Sequence, residues 1–228
     1  RYGFFPSVGF GWIVSNEKWF EDMSSSINLL KLKFTHGKVG NDGISSANDR
    51  FFYLSDVNLN DGGTGYSWGL DYGNYSNGYL IYRYSNPNVT WEVAEKTNFG
   101  LELEINKALN LQVDYFKEHR TQIYMQRDYI PESMGLTTGI SSNLGEVKSK
   151  GVDASLDYHQ AFSSGLYLSG RAYFTYATNE VLVNGEPNYE FDNLSGIGHP
   201  VNQPFGLIAE RLFIDAEDIA NSPEQFNG

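Results

Sequence analysis

TNFGLELEINKALNLQVDYF, residues 97–116, decides the fold. Phe99, Leu101, Leu103 and Ile105 alternate with Gly100, Glu102 and Glu104. After Asn106-Lys107-Ala108 the alternation resumes, with Leu109, Leu111, Val113 and Tyr115 set against Asn110, Gln112 and Asp114. Side chains switch faces at every residue of a strand, so a period of two repeated on both sides of a short break predicts a β-hairpin with one apolar face and one mainly acidic face. Apolar meets apolar only if Ile105 pairs with Leu109, Leu103 with Leu111 and Leu101 with Val113, which makes Asn106 to Ala108 a turn of odd length. The apolar face must touch either a protein core or lipid.

The same pattern recurs outward from this hairpin. Upstream, Val8, Phe10, Trp12 and Val14 form one strand face and Leu30, Leu32 and Phe34 another. They are joined through a polar connection at 15–26, where a helical turn capped by Ser15 or Asn16 is expected, and together they predict a first hairpin. Downstream, Val152, Ala154, Leu156 and Tyr158 precede a turn at 160–165, and Leu166, Leu168, Gly170, Ala172, Phe174 and Tyr176 return from it. Lys117 to Gln122 extend the second strand of the central hairpin without an apolar face. Between the hairpins lie segments rich in Gly, Asn, Asp, Ser and Tyr at 41–88, 126–142 and 179–204, read as loops. In the first of them Trp68, Tyr72, Tyr75, Tyr79 and Tyr82 are candidates for ligand or partner contact, because flat amphipathic side chains offer contact area at low entropic cost. Packing of loop on loop is the plainer account.

The 228 residues are 40% hydrophobic and 15% aromatic with 24 Gly, which fits β structure. A formal net charge of −12 argues against nucleic acid as a partner, since phosphate binding needs a basic surface. Zero Cys excludes disulfides, thiolate metal sites and cysteine nucleophiles. His36, His119, His159 and His199 are scattered without metal-binding spacing, and no cofactor or metal is expected. Asp56, Asn58, Asn60 and Asp61 approximate a calcium loop, but Gly62 falls one place late and Ser67 stands where a bidentate Glu is needed. Glu102, Glu104 and Asp114 share a face, the one hint of paired catalytic acids. Solvated carboxylates explain them more simply, and no enzyme activity is expected.

Short connections at 15–26, 106–108 and 160–165 alternate with the long ones, so all long loops fall at one end. Transmembrane β-barrels have this asymmetry, with about ten alternating residues per strand. In such a barrel Glu102, Glu104, Gln112, Asp114, Asp153, Asp157 and Arg171 would line the lumen, and Leu101, Leu103, Leu111, Val113, Leu156 and Leu168 would face lipid. Tyr115, Tyr158, Phe162, Phe174 and Tyr176 would sit near strand ends, as interfacial aromatics do. Periodicity alone fits a soluble β-sandwich that binds glycans equally well, with the apolar face packed on a second sheet. A glycoside hydrolase domain is the third reading.

Resemblance separates these readings. RYGFFPSVGFGWIVSNEKWF (1–20), INLLKLKFTHGKVGND (27–42), NPNVTWEVAEKTNFGLELEINKALNLQVDYF (86–116), NLGEVKSKGVDASLDY (143–158) and IGHPVNQPFGLIAERLFIDAEDI (197–219) resemble, in order, successive blocks of the SusC/RagA family of TonB-dependent outer-membrane receptors. The spacing within NPN-x-TWE and NLGEV-x-x-KG carries most of the specificity. The resemblance implies an all-β chain, an antiparallel transmembrane β-barrel segment in the outer membrane of a Gram-negative cell. It also implies import of oligosaccharides or peptides powered through TonB, with a SusD-like surface lipoprotein as partner. Residues 1–228 are then expected to form a later part of the barrel domain, without the plug, the TonB box, the first strands or the closing strands.

Overall fold

The computed structural model describes residues 2–23, 26–43, 51–207, 209 and 211–222, with the side chains of 21–23 left aside. Eight strands are present: β1 (Ser7–Ile13), β2 (Ile27–Asn41), β3 (Asp56–Trp68), β4 (Asn74–Arg83), β5 (Glu92–Ile105), β6 (Leu109–Gln126), β7 (Ser141–Ala161) and β8 (Tyr167–Val183). Six make one antiparallel sheet in the order β1-β2-β5-β6-β7-β8, and β3 with β4 makes a separate two-stranded ribbon.

The central hairpin has the register its apolar pattern predicts, Ile105 opposite Leu109, Leu103 opposite Leu111 and Leu101 opposite Val113. Its turn holds Asn106 and Lys107 at φ near +50°. Asn is among the residues that enter this left-handed region most readily, whereas Lys there carries some strain. The turn is tied to the end of β2, where the Lys107 N–H donates to Asn28 Oδ1 at 2.7 Å and the Asn106 N–H to the Ser26 carbonyl. The predicted first hairpin also forms, Trp12 opposite Leu32 and Phe10 opposite Phe34. Its connection differs from expectation. Two 3-10 turns, Val14–Asn16 and Lys18–Met23, replace a capped helical turn, and the N-cap of the first is Ile13 with no side-chain cap. Burial of Val14 and Phe20 holds this connection together.

Two other differences lie at the opposite end of the sheet. Segment 41–88 contains β3 and β4, whose alternation is hidden because register shifts at Asn58/Asp61 and Asp61/Tyr66 break the period of two. Within it the acidic cluster is a bulged stretch of β3: Asp61 Oδ2 accepts the N–H groups of Gly63 and Thr64, and Asn58 Oδ1 that of Asn60. Strands β6, β7 and β8 also outrun their amphipathic stretches, β7 beginning at Ser141 rather than Val152. There apolar residues such as Ile123, Val147 and Val181 are spaced irregularly across register shifts, and no alternation marks the strand.

The motif residues meet in this upper region. Asn143 Oδ1 accepts the Thr90 N–H at 2.9 Å, while its Nδ2 donates to the carbonyls of Thr90 and of Gln122. Gln122 has φ +59° and lies where the β6–β7 register slips, so Asn143 satisfies a carbonyl that the ladder abandons. Asn86 Nδ2 donates to the Ser141 carbonyl at 2.9 Å. NPN-x-TW and the residues around NLGEV are thus two halves of one hydrogen-bonded clasp. Trp91 packs against Phe5 with ring centroids 5.4 Å apart and planes tilted by 49°, and Phe5 occupies the space a Cβ on Gly40 would need.

Buried apolar side chains are few: Val14, Phe20, Ala94 and Ala108 among the described residues. No second sheet covers either face of the six strands among the described residues, which therefore do not form a sandwich.

Candidate functional site: the two faces of the sheet

Pairing carries each face across the sheet in rows. On the apolar face the lowest row is Ile105, Leu109, Tyr158 and Gly170, followed upward by Leu30, Leu103, Leu111, Leu156 and Ala172. Next come Trp12, Leu32, Leu101, Val113, Ala154 and Phe174, and above them Phe10, Phe34, Phe99, Tyr115, Val152 and Tyr176. Leu168, on the same side of β8, completes the set of six residues expected on this face. Tyr115 and Tyr176 occupy the upper aromatic row and Tyr158 the lowest row, whereas Phe174 stands at mid-strand. The whole surface is open: Phe99 is 53% exposed, Phe174 60% and Leu168 51%.

Two rows above the aromatic row the same face turns ionic, with Lys38, Glu95, His119, Lys148 and Glu180 in register on five strands. Lys148 pairs with Glu180 at 2.9 Å, His119 with Glu146 at 3.2 Å and Lys38 with Glu95 at 3.9 Å. From Ile105 to Glu95 is ten residues along β5. At about 3.3 Å per residue and a tilt of about 40°, that places the charged row about 25 Å above the lowest row, the height of a barrel's lipid-facing band.

The other face carries every residue expected to line a lumen. Its rows are Glu104, Asn110, Asp157 and Arg171; then Lys31, Glu102, Gln112, Ser155 and Tyr173; then Lys33, Gly100, Asp114, Asp153 and Thr175. Arg171 Nε donates to Asp157. The face is less acidic than residues 97–116 alone suggest. Lys33 Nζ lies 2.9 Å from Glu102 and 3.4 Å from Asp114, and Lys31 Nζ 3.1 Å from Glu102. To reach Asp114 the Lys33 chain crosses over Gly100, where a Cβ would come within 2.5 Å of Lys33 Cε. Both lysines come from β2, about 70 residues away in sequence, so a reading confined to residues 97–116 does not find them. Glu102 and Asp114 are thus held by lysines of β2, and Asp157 by Arg171.

Two grooves on this polar face are roomy enough for a guest. One, of ≈ 610 Å³, is bordered by Lys33, Lys96, Asp114, Glu118 and Asp153, a mixed-charge surface suited to a polar guest. The other, of ≈ 550 Å³, lies higher, between Ile123, Val147 and Val181 on the strands and Pro200, Val201 and Phe205 of the following segment. That segment borders the upper edge of β8: the Val181 N–H donates to the His199 carbonyl, and the Gly198 N–H to the Val181 carbonyl. Nearby, burial opposes ionisation of Glu186, but hydrogen bonds from Ser195, the Gly196 N–H, Asn184 and the Ile197 N–H outweigh it and hold its carboxyl below the ordinary range.

The five aromatic contact candidates are all exposed, but they do not form one surface. Tyr75 and Tyr79 share a side of β4. Trp68 is opposite, its indole Nε1 donating to Ser76 Oγ at 3.3 Å. Tyr72 sits at the ribbon's turn with φ +51°, and Tyr82 lies where the β3–β4 register shifts. The Tyr75 hydroxyl is used internally, donating to the Gly62 carbonyl and accepting the Gly65 N–H. Thr137 fastens the ribbon to the 127–140 segment, its hydroxyl donating to the Ile81 carbonyl at 3.0 Å.

An antiparallel sheet with one open apolar face, one charged face, short connections at one end and long segments at the other defines a transmembrane β-barrel wall of the outer-membrane type. The chain belongs to the TonB dependent receptor-like, beta-barrel family, whose model matches residues 2–205. It is therefore an outer-membrane protein. It is similar to a TonB-dependent receptor of Formosa agariphila, 27% identical over 79% of this chain and 16% of the relative. TonB-dependent receptor SusC of Bacteroides thetaiotaomicron is 26% identical over 69% of this chain and 15% of that protein. The chain thus spans about a sixth of the curated relatives it matches. Among solved structures it resembles the RagAB peptide transporter, at 25% identity and a TM-score of 0.59 over 78% of this chain and 18% of that one. The RagAB peptide importer in its open-open state gives a TM-score of 0.62 over 83% of this chain and 19% of that one.

Proposed function

We propose that this chain is one sector of the barrel wall of a TonB-dependent importer that carries oligosaccharides or peptides across the outer membrane. The observation that supports it most is the open apolar face closed off above by an ion-paired row at bilayer height. In this reading Leu101, Leu103, Leu111, Val113, Leu156 and Leu168 lie against lipid, and Glu102, Glu104, Gln112, Asp114, Asp153, Asp157 and Arg171 line the lumen. Residues 1–228 contribute only the later part of the barrel, and the plug and TonB box belong to the rest of the receptor. A SusD-like lipoprotein covers the outer end, and the exposed Trp68, Tyr72, Tyr75, Tyr79 and Tyr82 of the β3–β4 ribbon are the candidates for ligand or lid contact. Peptides gain support from the likeness to RagAB, and the mixed charges of the lower groove suit zwitterionic chains.

The test uses the full-length receptor in its native membrane. Cysteines placed singly at Leu103 and Leu111 should react with lipid-phase probes, and cysteines at Gln112 and Asp153 only with water-soluble ones. Uptake of labelled peptides or glycans should stop when TonB is deleted. Reversed labelling at the four sites would reject the facing, and uptake that persists without TonB would reject the transport mechanism.

A further inference from the structure

We propose that Lys117 and Lys150 form a binding site for the phosphate of an outer-leaflet lipid headgroup. The two lysines are directly opposite one another on β6 and β7, on the apolar face, in the row between the aromatic row and the ion-paired row. Directly opposed side chains on one face have Cβ atoms about 5 Å apart, and like charges placed so are destabilising. Every other basic side chain at that height on the described strands has a partner. His36 contacts Thr97 and Glu95, Lys38 contacts Glu95, His119 contacts Glu146 and Lys148 contacts Glu180. Lys117 and Lys150 have none among the described residues, and their row neighbours Thr97 and Thr178 carry no charge.

An anion held between the two ammonium groups turns this repulsion into attraction, and its source follows from position. The row directly below contains Tyr115, Val152 and Tyr176, the level at which aromatic side chains mark the membrane–water boundary. One row further out is headgroup depth, reached from the lipid side and facing away from the lumen. The inference rests on the apolar face being lipid-exposed, as proposed above.

The experiment titrates full-length receptor in detergent micelles with diphosphorylated lipid A and with its dephosphorylated form, following bound lipid by native mass spectrometry. Wild type should prefer the phosphorylated lipid. K117Q/K150Q should lose roughly 30-fold in affinity for it, the effect of two headgroup-level lysines, and nothing for the dephosphorylated form. K117R/K150R should retain the preference. Unchanged affinity in K117Q/K150Q, or equal binding of both lipids by wild type, overturns the site. Full displacement by millimolar inorganic phosphate overturns the lipid as its source. Lipid-phase labelling of a cysteine at Leu103 separates the two levels: labelling with no lipid preference rejects the lysine site alone, and no labelling rejects the facing beneath it.

Discussion

Replacing Leu101 with arginine tests the orientation of the whole sheet. Leu101 lies four residues above Ile105 and six below Glu95 on β5, about 10 and 15 Å along the barrel axis at the usual rise and tilt, so its row is close to the bilayer midplane. Leu32 and Val113 flank it, and no carboxylate stands on that face below Glu95 on β5. A guanidinium there can neither pair nor extend to the charged row. The expected cost is about 2–4 kcal/mol, against about 0–1 kcal/mol for Thr97→Arg near the interface, with Leu103→Arg between. On a two-state scale the midplane change is roughly 30- to 1000-fold in the folded ratio. Urea titrations of the full-length receptor in bilayers, followed by tryptophan fluorescence, read these differences. Equal costs at 97 and 101, or a neutral Leu101→Arg, would refute the lipid facing.

Lys33→Met should destabilise the barrel by about 1 kcal/mol, because Glu102 loses one of two cations and Asp114 its nearest one; adding Asp114→Asn should recover part of it in the same titration. Asn143→Ala removes three hydrogen bonds of the upper clasp and should cost about 1–3 kcal/mol, seen as faster hydrogen exchange in 86–92 and 120–125. Glu186 has a lowered carboxyl pKa in the folded state, so its ordering of 184–197 is fully present above the ordinary carboxylate value and is lost as pH falls through the lowered one. Limited proteolysis of that segment should therefore rise in acid, and Glu186→Gln should flatten the pH dependence. Gly40→Leu should displace Phe5 from Trp91 and loosen the start of β1, measured as slower assembly into the outer membrane.

The sheet was legible wherever one face is apolar and the other is not. Leu101 to Ile105 and Leu109 to Val113 specify both pairing and register, since a slip of one residue would turn Glu102, Glu104 and Asp114 onto the apolar side. Above the charged row this contrast ends. Ser141 to Val147 is as much strand as Val152 to Tyr158, but its two apolar residues, Leu144 and Val147, fall on no common period of two. The ribbon at 56–83 was hidden for a different reason, because its bulges scramble the alternation. The cations of the polar face were missed because they arrive from β2, and only the assembled pairing places Lys33 between Glu102 and Asp114. Motif spacing pointed to kinship without showing its purpose, which the clasp of Asn86, Thr90 and Asn143 supplies.

The length of the strands has a mechanical consequence. On β6 seven residues follow His119 before the strand ends, and β7 begins seven residues before Lys148. At the same rise and tilt these extensions stand about 18 Å above the charged row. They are hydrogen-bonded to each other and braced by Asn143, so they form a stiff parapet. The ribbon and the segment after β8 adjoin this rim, beyond the charged row. A partner closing over the barrel would therefore dock onto a raised, rigid edge, and its movement would leave the amphipathic part of the strands undisturbed.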